Sequence, residues 1–210
     1  MHSCKESELR INVKTGGYPK IVSQGINDDY LPVWMQAAGY QTYYTGKLWN
    51  THNIYNYNKP AVNGFNGSDF LLDPYTYDYW HARMTRNGAT PQDYTGQYSP
   101  DVVAEKALGF LDEALENDQP FFLTVAPVAP HSNIIGDSVF ADSYSAALAP
   151  GFGIPEYAPR HAHLFKDYKI PRGENFNPEK VWTKPESSPT AFTDEDDSQV
   201  ERIGLRAYHA

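Results

Sequence analysis

Gln119–Ser132, which reads QPFFLTVAPVAPHS, is the stretch that decides the fold class. Its apolar run, Phe121–Ala126, has the length of a strand, and two prolines interrupt the chain between this run and His131. The apolar residues fall on both faces rather than alternating, which is typical of a parallel strand covered by helices on each side. The stretch therefore predicts an α/β protein in which this strand, buried on both faces, delivers His131 to one edge of a sheet.

A helix and a second strand precede a glycine–lysine pair earlier in the chain. Apolar residues recur at helical spacing over residues 29–39 and predict a helix that ends at a glycine. Tyr40–Thr45 is rich in aromatic and β-branched residues and predicts a strand that Gly46 closes. This α/β unit leaves Lys47 just past the end of the strand.

The following segment, residues 51–98, is rich in turn signals and predicts short strands joined by long loops. We expect one strand at Phe70–Leu72 and another near Tyr75–Trp80. A helix is predicted from Ser99, taken as the N-cap, to near Asn117, because proline and aspartate follow Ser99 and apolar residues then recur on one face.

The two ends of the chain predict different structures. We expect residues 1–15 to form a polar surface arm and residues 16–20, GGYPK, to form a turn. Residues 16–210 are then a single domain, in which residues 133–190 form a long irregular segment. An acidic start and later apolar residues predict a final helix over residues 193–209.

Composition excludes several classes of partner. The formal net charge is −9 and the basic residues are dispersed, so no basic patch of the kind that binds nucleic acid is present. No apolar run approaches the roughly 20 residues that span a bilayer, and no membrane partner is expected. The N-terminal sequence lacks the apolar core of a signal peptide, so the compartment stays open. The single cysteine, Cys4, cannot form an internal disulfide bond.

Lys47 and His131 are the candidate site residues, because both follow predicted strands. Ligands of open α/β sheets bind outside the carboxyl ends of the strands, so parallel neighbours would bring the two side chains to one anion-binding crevice. The alternative is that Lys47 is an ordinary solvated surface lysine. His161 and His163 alternate and could bind a metal ion, but no partner stands at a recognisable spacing, so an exposed loop is favoured.

Four segments occur in a recognisable order along the chain. They are AAGYQTYYTGKLWN at 37–50, SDFLLDPYTYDYW at 68–80, YSPDVVAEKALGFLDEA at 98–114 and PFFLTVAPVAPHS at 120–132. Together they resemble the sulfatase family, and fungal arylsulfatases of the glucosamine-6-sulfatase-like group in particular. The resemblance continues through residues 159–178 and 202–206, so it implies that residues 16–210 are a partial sulfatase catalytic domain. It implies an α/β alkaline-phosphatase-like fold, incomplete here, with a mostly parallel sheet flanked by helices and with long irregular loops.

The resemblance also implies hydrolysis of sulfate esters. Such enzymes use a formylglycine, made from the cysteine of a C-x-P/S-x-R motif, beside a calcium ion. At the matching positions, Lys47 would bind the sulfate of a sulfated small molecule or glycan, and His131 would contact the sulfate or protonate the leaving alcohol. Asn50 stands where related members have asparagine and is a further substrate-binding candidate. Many other sulfatases have histidine two residues after the lysine, where this chain has Trp49.

Two departures from the family pattern limit what this chain is expected to do. Cys4 is followed by Lys5, Glu6 and Ser7, which is not the formylglycine motif, and the calcium-binding aspartate pairs are not matched. We therefore expect no bound metal and no turnover by this chain alone. The alternatives to a sulfatase fragment are a non-catalytic remnant that binds anions or sulfated glycans and a non-functional truncated product. Family members are often secreted, but no signal peptide shows this here.

Overall fold

The structure, a computed structural model, describes three parts of the chain: residues 16–134, 152–169 and 171. The arm predicted over residues 1–15 and the helix predicted over residues 193–209 lie outside these parts. The described residues fall into two compact units. The first comprises residues 16–128, 133–134 and 152–153, and the second comprises residues 129–132, 154–169 and 171.

A five-stranded sheet forms the centre of the first unit. Its strands are β1 (Gln41–Gly46), β2 (Gly67–Leu71), β3 (Arg83–Arg86), β4 (Gln92–Asp93) and β5 (Phe121–Ala126), in the order β4-β3-β2-β1-β5. Strand β1, next to the edge strand β5, pairs in parallel with both β2 and β5, whereas β3 pairs antiparallel with β2 and β4. A separate antiparallel pair joins β6 (Asn133–Ile134) and β7 (Phe152–Gly153). The predicted α/β class, with a parallel core, is confirmed.

Three α-helices accompany the sheet: α1 (Gly17–Ser23), α2 (Leu31–Ala37) and α3 (Ser99–Leu115). Short 3-10 helices cover Ile26–Asp28 and Pro159–His161. The helices predicted over residues 29–39 and from Ser99 are therefore confirmed. Among the described residues, none of the helices has both the length and the apolarity that crossing a bilayer requires.

The turn predicted over residues 16–20 is wrong, because α1 begins there. Tyr18 is 1% exposed, its backbone N–H donates to the carbonyl oxygen of Asn50 (2.9 Å), and its hydroxyl donates to the carbonyl oxygen of Pro60 (2.7 Å). These partners are distant in sequence. Tertiary contacts therefore hold a helix where the local glycine–glycine–tyrosine–proline pattern indicates a turn.

Two further details differ from the sequence-based expectations. The strand predicted near Tyr75–Trp80 is a run of turns, in which Tyr79 is fully buried, and β3 begins only at Arg83. The N-cap of α3 is Tyr98 rather than Ser99. The backbone N–H of Ser99 donates to the carbonyl oxygen of Tyr79 (2.8 Å), and the rings of Tyr98 and Tyr79 stack 5.8 Å apart. Contact with the preceding turns thus sets the start of the helix.

The sheet has apolar side chains on both faces. On one face, Tyr43 of β1 packs against Phe110 and Ala114 of α3, and Leu123 of β5 joins this cluster. On the other face, the rings of Tyr44 and Phe70 lie 5.6 Å apart, and Phe65 contacts both. Alternation along β1 thus directs neighbouring tyrosines into different halves of the core.

Burial of β5 on both faces was expected and is wrong. Phe121 is 39% exposed and Val125 is 46% exposed, because β5 pairs with β1 alone among the described residues and forms one edge of the sheet. Leu108 and Leu115 of α3 are exposed as well. In the part of the chain that the structure describes, an apolar strand that carries no charge therefore lies at the edge of the sheet.

Candidate functional site

The carboxyl ends of β1 and β2 carry the charged groups of the candidate site. The two strands are parallel, so their carboxyl ends lie at the same end of the sheet, where ligands of open α/β sheets bind. Lys47 directly follows β1, and Asp73 lies two residues beyond the end of β2. The sheet therefore brings the side chains of Lys47 and Asp73 to the carboxyl ends of neighbouring strands.

Gly46 determines how the chain leaves β1. Its φ is +108°, in the region that favours glycine, and a Cβ added here would lie 2.0 Å from the carbonyl oxygen of Ala126. That same carbonyl accepts a hydrogen bond from the backbone N–H of Lys47 at 2.9 Å. The close approach of β1 and β5 thus fixes the backbone from which the Lys47 side chain extends.

The ammonium of Lys47 is half-buried and has defined neighbours. Its Nζ donates a hydrogen bond to Asn50 Oδ1 (2.5 Å) and lies 4.9 Å from the centroid of the Tyr77 ring. Burial lowers the pKa of Lys47, and the negative charge of Asp73 opposes part of that decrease. Lys47 is therefore not a fully solvated surface lysine, and two predicted site residues, Lys47 and Asn50, are in direct contact.

Asp73 ties the loop that contains Asn50 to the end of β2. Its Oδ2 accepts a hydrogen bond from the backbone N–H of Thr51 (2.8 Å), and its own N–H donates to the carbonyl oxygen of His52 (2.9 Å). Its carbonyl accepts from the N–H of Ile54 (3.1 Å). Oδ1 of the buried carboxylate has no hydrogen-bond partner among the residues that the structure describes.

Opposing effects act on the pKa of Asp73. Burial raises it, and this is the largest effect. Hydrogen bonds from the Thr76 side chain and from the Thr51 backbone lower it, as does the positive charge of Lys47. The carboxylate and the ammonium therefore each favour the charged form of the other.

His52 is a core residue. It is 1% exposed, and its ring lies 4.5 Å from the Tyr18 ring and 5.5 Å from the Phe70 ring. Burial lowers the pKa of His52 to about 4, so the imidazole is neutral at physiological pH. This histidine therefore packs in the core beneath the loop that follows Lys47.

His131 belongs to the second unit and follows β5 in the chain. Its side chain is exposed, and Nδ1 lies 2.9 Å from the carbonyl oxygen of Ser132, to which an Nδ1–H tautomer donates. Its joint action with Lys47 stays a prediction. His161 is at the end of a 3-10 helix, and His163 is exposed.

Calcium is the metal that the resemblance implies. Across residues 16–134, 152–169 and 171, no group of three or more His, Cys, Asp or Glu side chains could hold a metal ion. Calcium takes six to eight oxygen ligands, with carboxylates prominent among them. The described residues do not provide that ligand set.

Asp73 and Tyr77 were missed as site residues in the sequence. Asp73 precedes a proline and indicated only a turn, and Tyr77 stood inside an expected strand. The signal that could have identified Asp73 was its place just after an apolar strand, which is the same signal that identified Lys47. It required the knowledge that β2 is the parallel neighbour of β1.

Comparison with known proteins shows the relationships of the chain. A family model described as Sulfatase matches residues 7–201. The chain is 43% identical over 159 residues to an arylsulfatase of Volvox carteri, which covers 75% of this chain and 24% of that protein. It is 35% identical over 158 residues to an arylsulfatase of Chlamydomonas reinhardtii, with the same coverage of 75% and 24%. It is 28% identical over 189 residues to an N-acetylglucosamine-6-sulfatase of Capra hircus, which covers 84% and 28%.

The matched regions are a small share of those relatives. The chain spans about a quarter of the length of the curated relatives it matches. A solved structure, of a protein in complex with its substrate D-glucosamine-2-N,6-O-disulfate, gives a TM-score of 0.46 at 24% identity, covering 71% of this chain and 24% of the other.

Proposed function

The chain belongs to the sulfatase family, whose members are sulfuric ester hydrolases, and on this premise we propose that Lys47 and Asn50 bind the sulfate group of a sulfate ester. One observation carries the proposal. A half-buried ammonium stands at the carboxyl end of the parallel strand β1, in contact with a side-chain amide. That is the chemistry and the location that a bound anion requires.

The ammonium offers more than a point charge. It has three N–H donors, one of which is directed at Asn50 Oδ1, so donors remain for oxygen atoms of a sulfate. Partial burial lowers the effective dielectric constant and strengthens the attraction between Lys47 and an anion. The Asn50 amide, oriented by this hydrogen bond, carries an NH₂ group that can donate to a second sulfate oxygen.

His131 is proposed to serve the leaving alcohol or a sulfate oxygen. Hydrolysis breaks the bond between sulfur and the ester oxygen, and that oxygen must gain a proton as it leaves. An imidazole can donate this proton near neutral pH. The exposed side chain of His131 and its place soon after β5 in the chain support this role.

The substrate class follows from the relatives as a proposal. The relatives include arylsulfatases and an N-acetylglucosamine-6-sulfatase. We propose that the substrate of this chain is a sulfated small molecule or glycan. N-acetylglucosamine-6-sulfate and an aryl sulfate are the two probes of this class. The loops between residues 51 and 98 would face the organic part of the ester.

We propose that these 210 residues by themselves bind sulfate without hydrolysing its esters and without binding calcium. The only cysteine, Cys4, is not in a C-x-P/S-x-R motif. Loss of single preorganised electrostatic contacts typically costs about 10²–10³ in rate, and both nucleophile and cation are unmatched here. Release of the aryl alcohol from an aryl sulfate by the purified chain, abolished by Lys47→Ala, would overturn this proposal.

Calorimetric titration tests the binding proposal. The purified chain should bind N-acetylglucosamine-6-sulfate in a saturable, salt-sensitive manner and bind unsulfated N-acetylglucosamine far more weakly. Lys47→Ala removes a charge-assisted contact and should weaken sulfate binding about tenfold or more. Lys20→Ala removes a lysine of α1, in the same unit but outside the loops between residues 51 and 98, and should leave the affinity unchanged. Equal affinities for the wild type and Lys47→Ala would refute the proposal.

A further inference from the structure

The segment after β2 contributes two residues to the surroundings of Lys47. Asp73 holds the backbone of Thr51 through Oδ2 (2.8 Å), and Thr51 directly follows Asn50. Asn50 in turn accepts a hydrogen bond from Nζ of Lys47. Asp73 is therefore connected to the ammonium through a short, continuous set of contacts.

We propose that Asp73 and Tyr77 are positioning residues for Lys47, which anchor the loop that presents Asn50 and surround the ammonium so that it is directed at an anionic ligand. This inference deepens the proposed function and rests on it. Neither residue needs to touch the substrate.

Asp73 combines an anchoring role with an electrostatic one. One hydrogen bond from its side chain and two from its backbone connect it to backbone atoms of Thr51, His52 and Ile54, so its location fixes the whole turn after Asn50. The buried Oδ1, which lacks a hydrogen-bond partner among the described residues, leaves part of the carboxylate charge uncompensated. A nearby ammonium stabilises such a charge, and the carboxylate in turn favours the protonated form of the half-buried lysine. A neutral lysine would not attract sulfate.

Tyr77 supplies an aromatic face to the same ammonium. Nζ lies 4.9 Å from the ring centroid, within the distance at which a cation is attracted by the ring. The ring is uncharged and attracts the cation without competing for its donors as an acceptor would. Tyr77 therefore restricts where the ammonium can lie and leaves its N–H groups for Asn50 and an anion.

The titratable groups around Lys47 come from two elements. Asp73 and Tyr77 follow β2, and Tyr44 of β1 donates its hydroxyl to the carbonyl oxygen of Lys47 (2.5 Å). Burial raises the pKa of Tyr44 to about 12, and burial together with the charge of Asp73 raises the pKa of Tyr77. Among the three, only Asp73 is charged in the pH range where Lys47 titrates.

The test compares two matched pairs of variants in the full 210-residue chain. Asp73→Asn keeps an oxygen acceptor for Thr51 and removes the charge, whereas Asp112→Asn removes an exposed aspartate on α3. Tyr77→Leu removes the ring, whereas Tyr77→Phe keeps it. Acylation of Lys47 as a function of pH, followed by mass spectrometry of the peptide, gives the titration midpoint without any ligand. Titration with inorganic sulfate over the same pH range gives the binding profile.

We expect Asp73→Asn to move the midpoint of Lys47 about one pH unit lower, and Tyr77→Leu to move it in the same direction by less. Sulfate binding should be lost at a correspondingly lower pH in both variants, and Asp112→Asn and Tyr77→Phe should match the wild type. An unchanged midpoint in both Asp73→Asn and Tyr77→Leu would overturn the inference, even if the variants were less stable. If Asp73→Asn does not fold, the Tyr77 pair decides. If the midpoints move but the wild type does not bind sulfate, the proposed function fails and the positioning of Lys47 stands.

Discussion

Acidification should destabilise this protein through His52, and replacement of His52 by phenylalanine should remove that part of the pH dependence. The imidazole is buried between the rings of Tyr18 and Phe70, and its hydrogen-bond contact to the Tyr57 carbonyl oxygen is long, at 3.4 Å. Phenylalanine has a similar planar ring, cannot titrate, and loses only this weak contact. His52→Phe is therefore close to a test of the titration alone.

The sign and size of the effect follow from proton linkage. The pKa of His52 is about 4 in the folded chain, against 6.5 for an unperturbed histidine, so between these values the unfolded state binds more protons. The contribution of neutral His52 to the free energy of unfolding is then fully present above about pH 6.5 and is lost as the pH falls toward 4. Integration from pH 7 to pH 4.5 gives a loss of about 2 kcal/mol for this single group.

Urea unfolding followed by tryptophan fluorescence at several pH values measures this loss. Carboxylates also titrate in this range, so the wild type and His52→Phe must be compared at each pH. Between pH 7 and pH 4.5, the free energy of unfolding of the wild type should fall by about 2 kcal/mol more than that of His52→Phe. Parallel pH profiles for the wild type and His52→Phe would refute the assignment of His52 as a buried neutral group.

Two predictions concern the strands around the site. Gly46→Ala places a Cβ against the Ala126 carbonyl at a positive φ. It should lower the free energy of unfolding in urea by at least about 2 kcal/mol and should also weaken sulfate binding. Gly109→Ala, within a helix and with open space around it, should instead raise the free energy of unfolding by about 0.5–1 kcal/mol. A fully stable Gly46→Ala chain would contradict the close approach of β1 and β5. β5 is an apolar edge strand among the described residues, so we expect the wild type to self-associate through it at high concentration. Val125→Lys places a charge on this strand and should reduce self-association in sedimentation experiments, more than Leu108→Lys on α3 does. A wild type that stays monomeric at high concentration would contradict this expectation.

The elements that sequence patterns identified are those that depend on local chemistry. β1 was predicted because dense β-branched and aromatic residues favour extended chain wherever it is placed. β5 was predicted from the length of its apolar run, and α3 from its own periodicity. Lys47 followed from β1 directly. The neighbours of each element could not be predicted from these patterns. The apolarity of Phe121–Ala126 indicates that the strand suits a buried environment, but it does not indicate which strands or helices pack against it.

The missed features all depend on contacts between distant residues. α1 is held by Tyr18, whose hydroxyl bonds Pro60, 42 residues away. Asp73 became a neighbour of Lys47 only through the parallel pairing of β1 with β2 and the hydrogen bond to Thr51, 22 residues away. Neither relationship leaves a periodic signal, so the candidate site could be predicted at Lys47 and Asn50 but not in the segment that positions them.

The place of β1 between two parallel neighbours has a consequence for the order of folding. Gln41 at the start of β1 hydrogen-bonds the side chain of Gln119, 78 residues later in the chain, whereas β2 and β3 are joined by a short connection. Pairings between distant segments form late, because the entropy of closing a long loop must be overcome first. The Lys47 backbone donates to Ala126 of β5, so its final orientation is set only when that distant strand docks. During synthesis, the backbone of Lys47 therefore cannot reach its final orientation until β5 has left the ribosome, well after Lys47 itself.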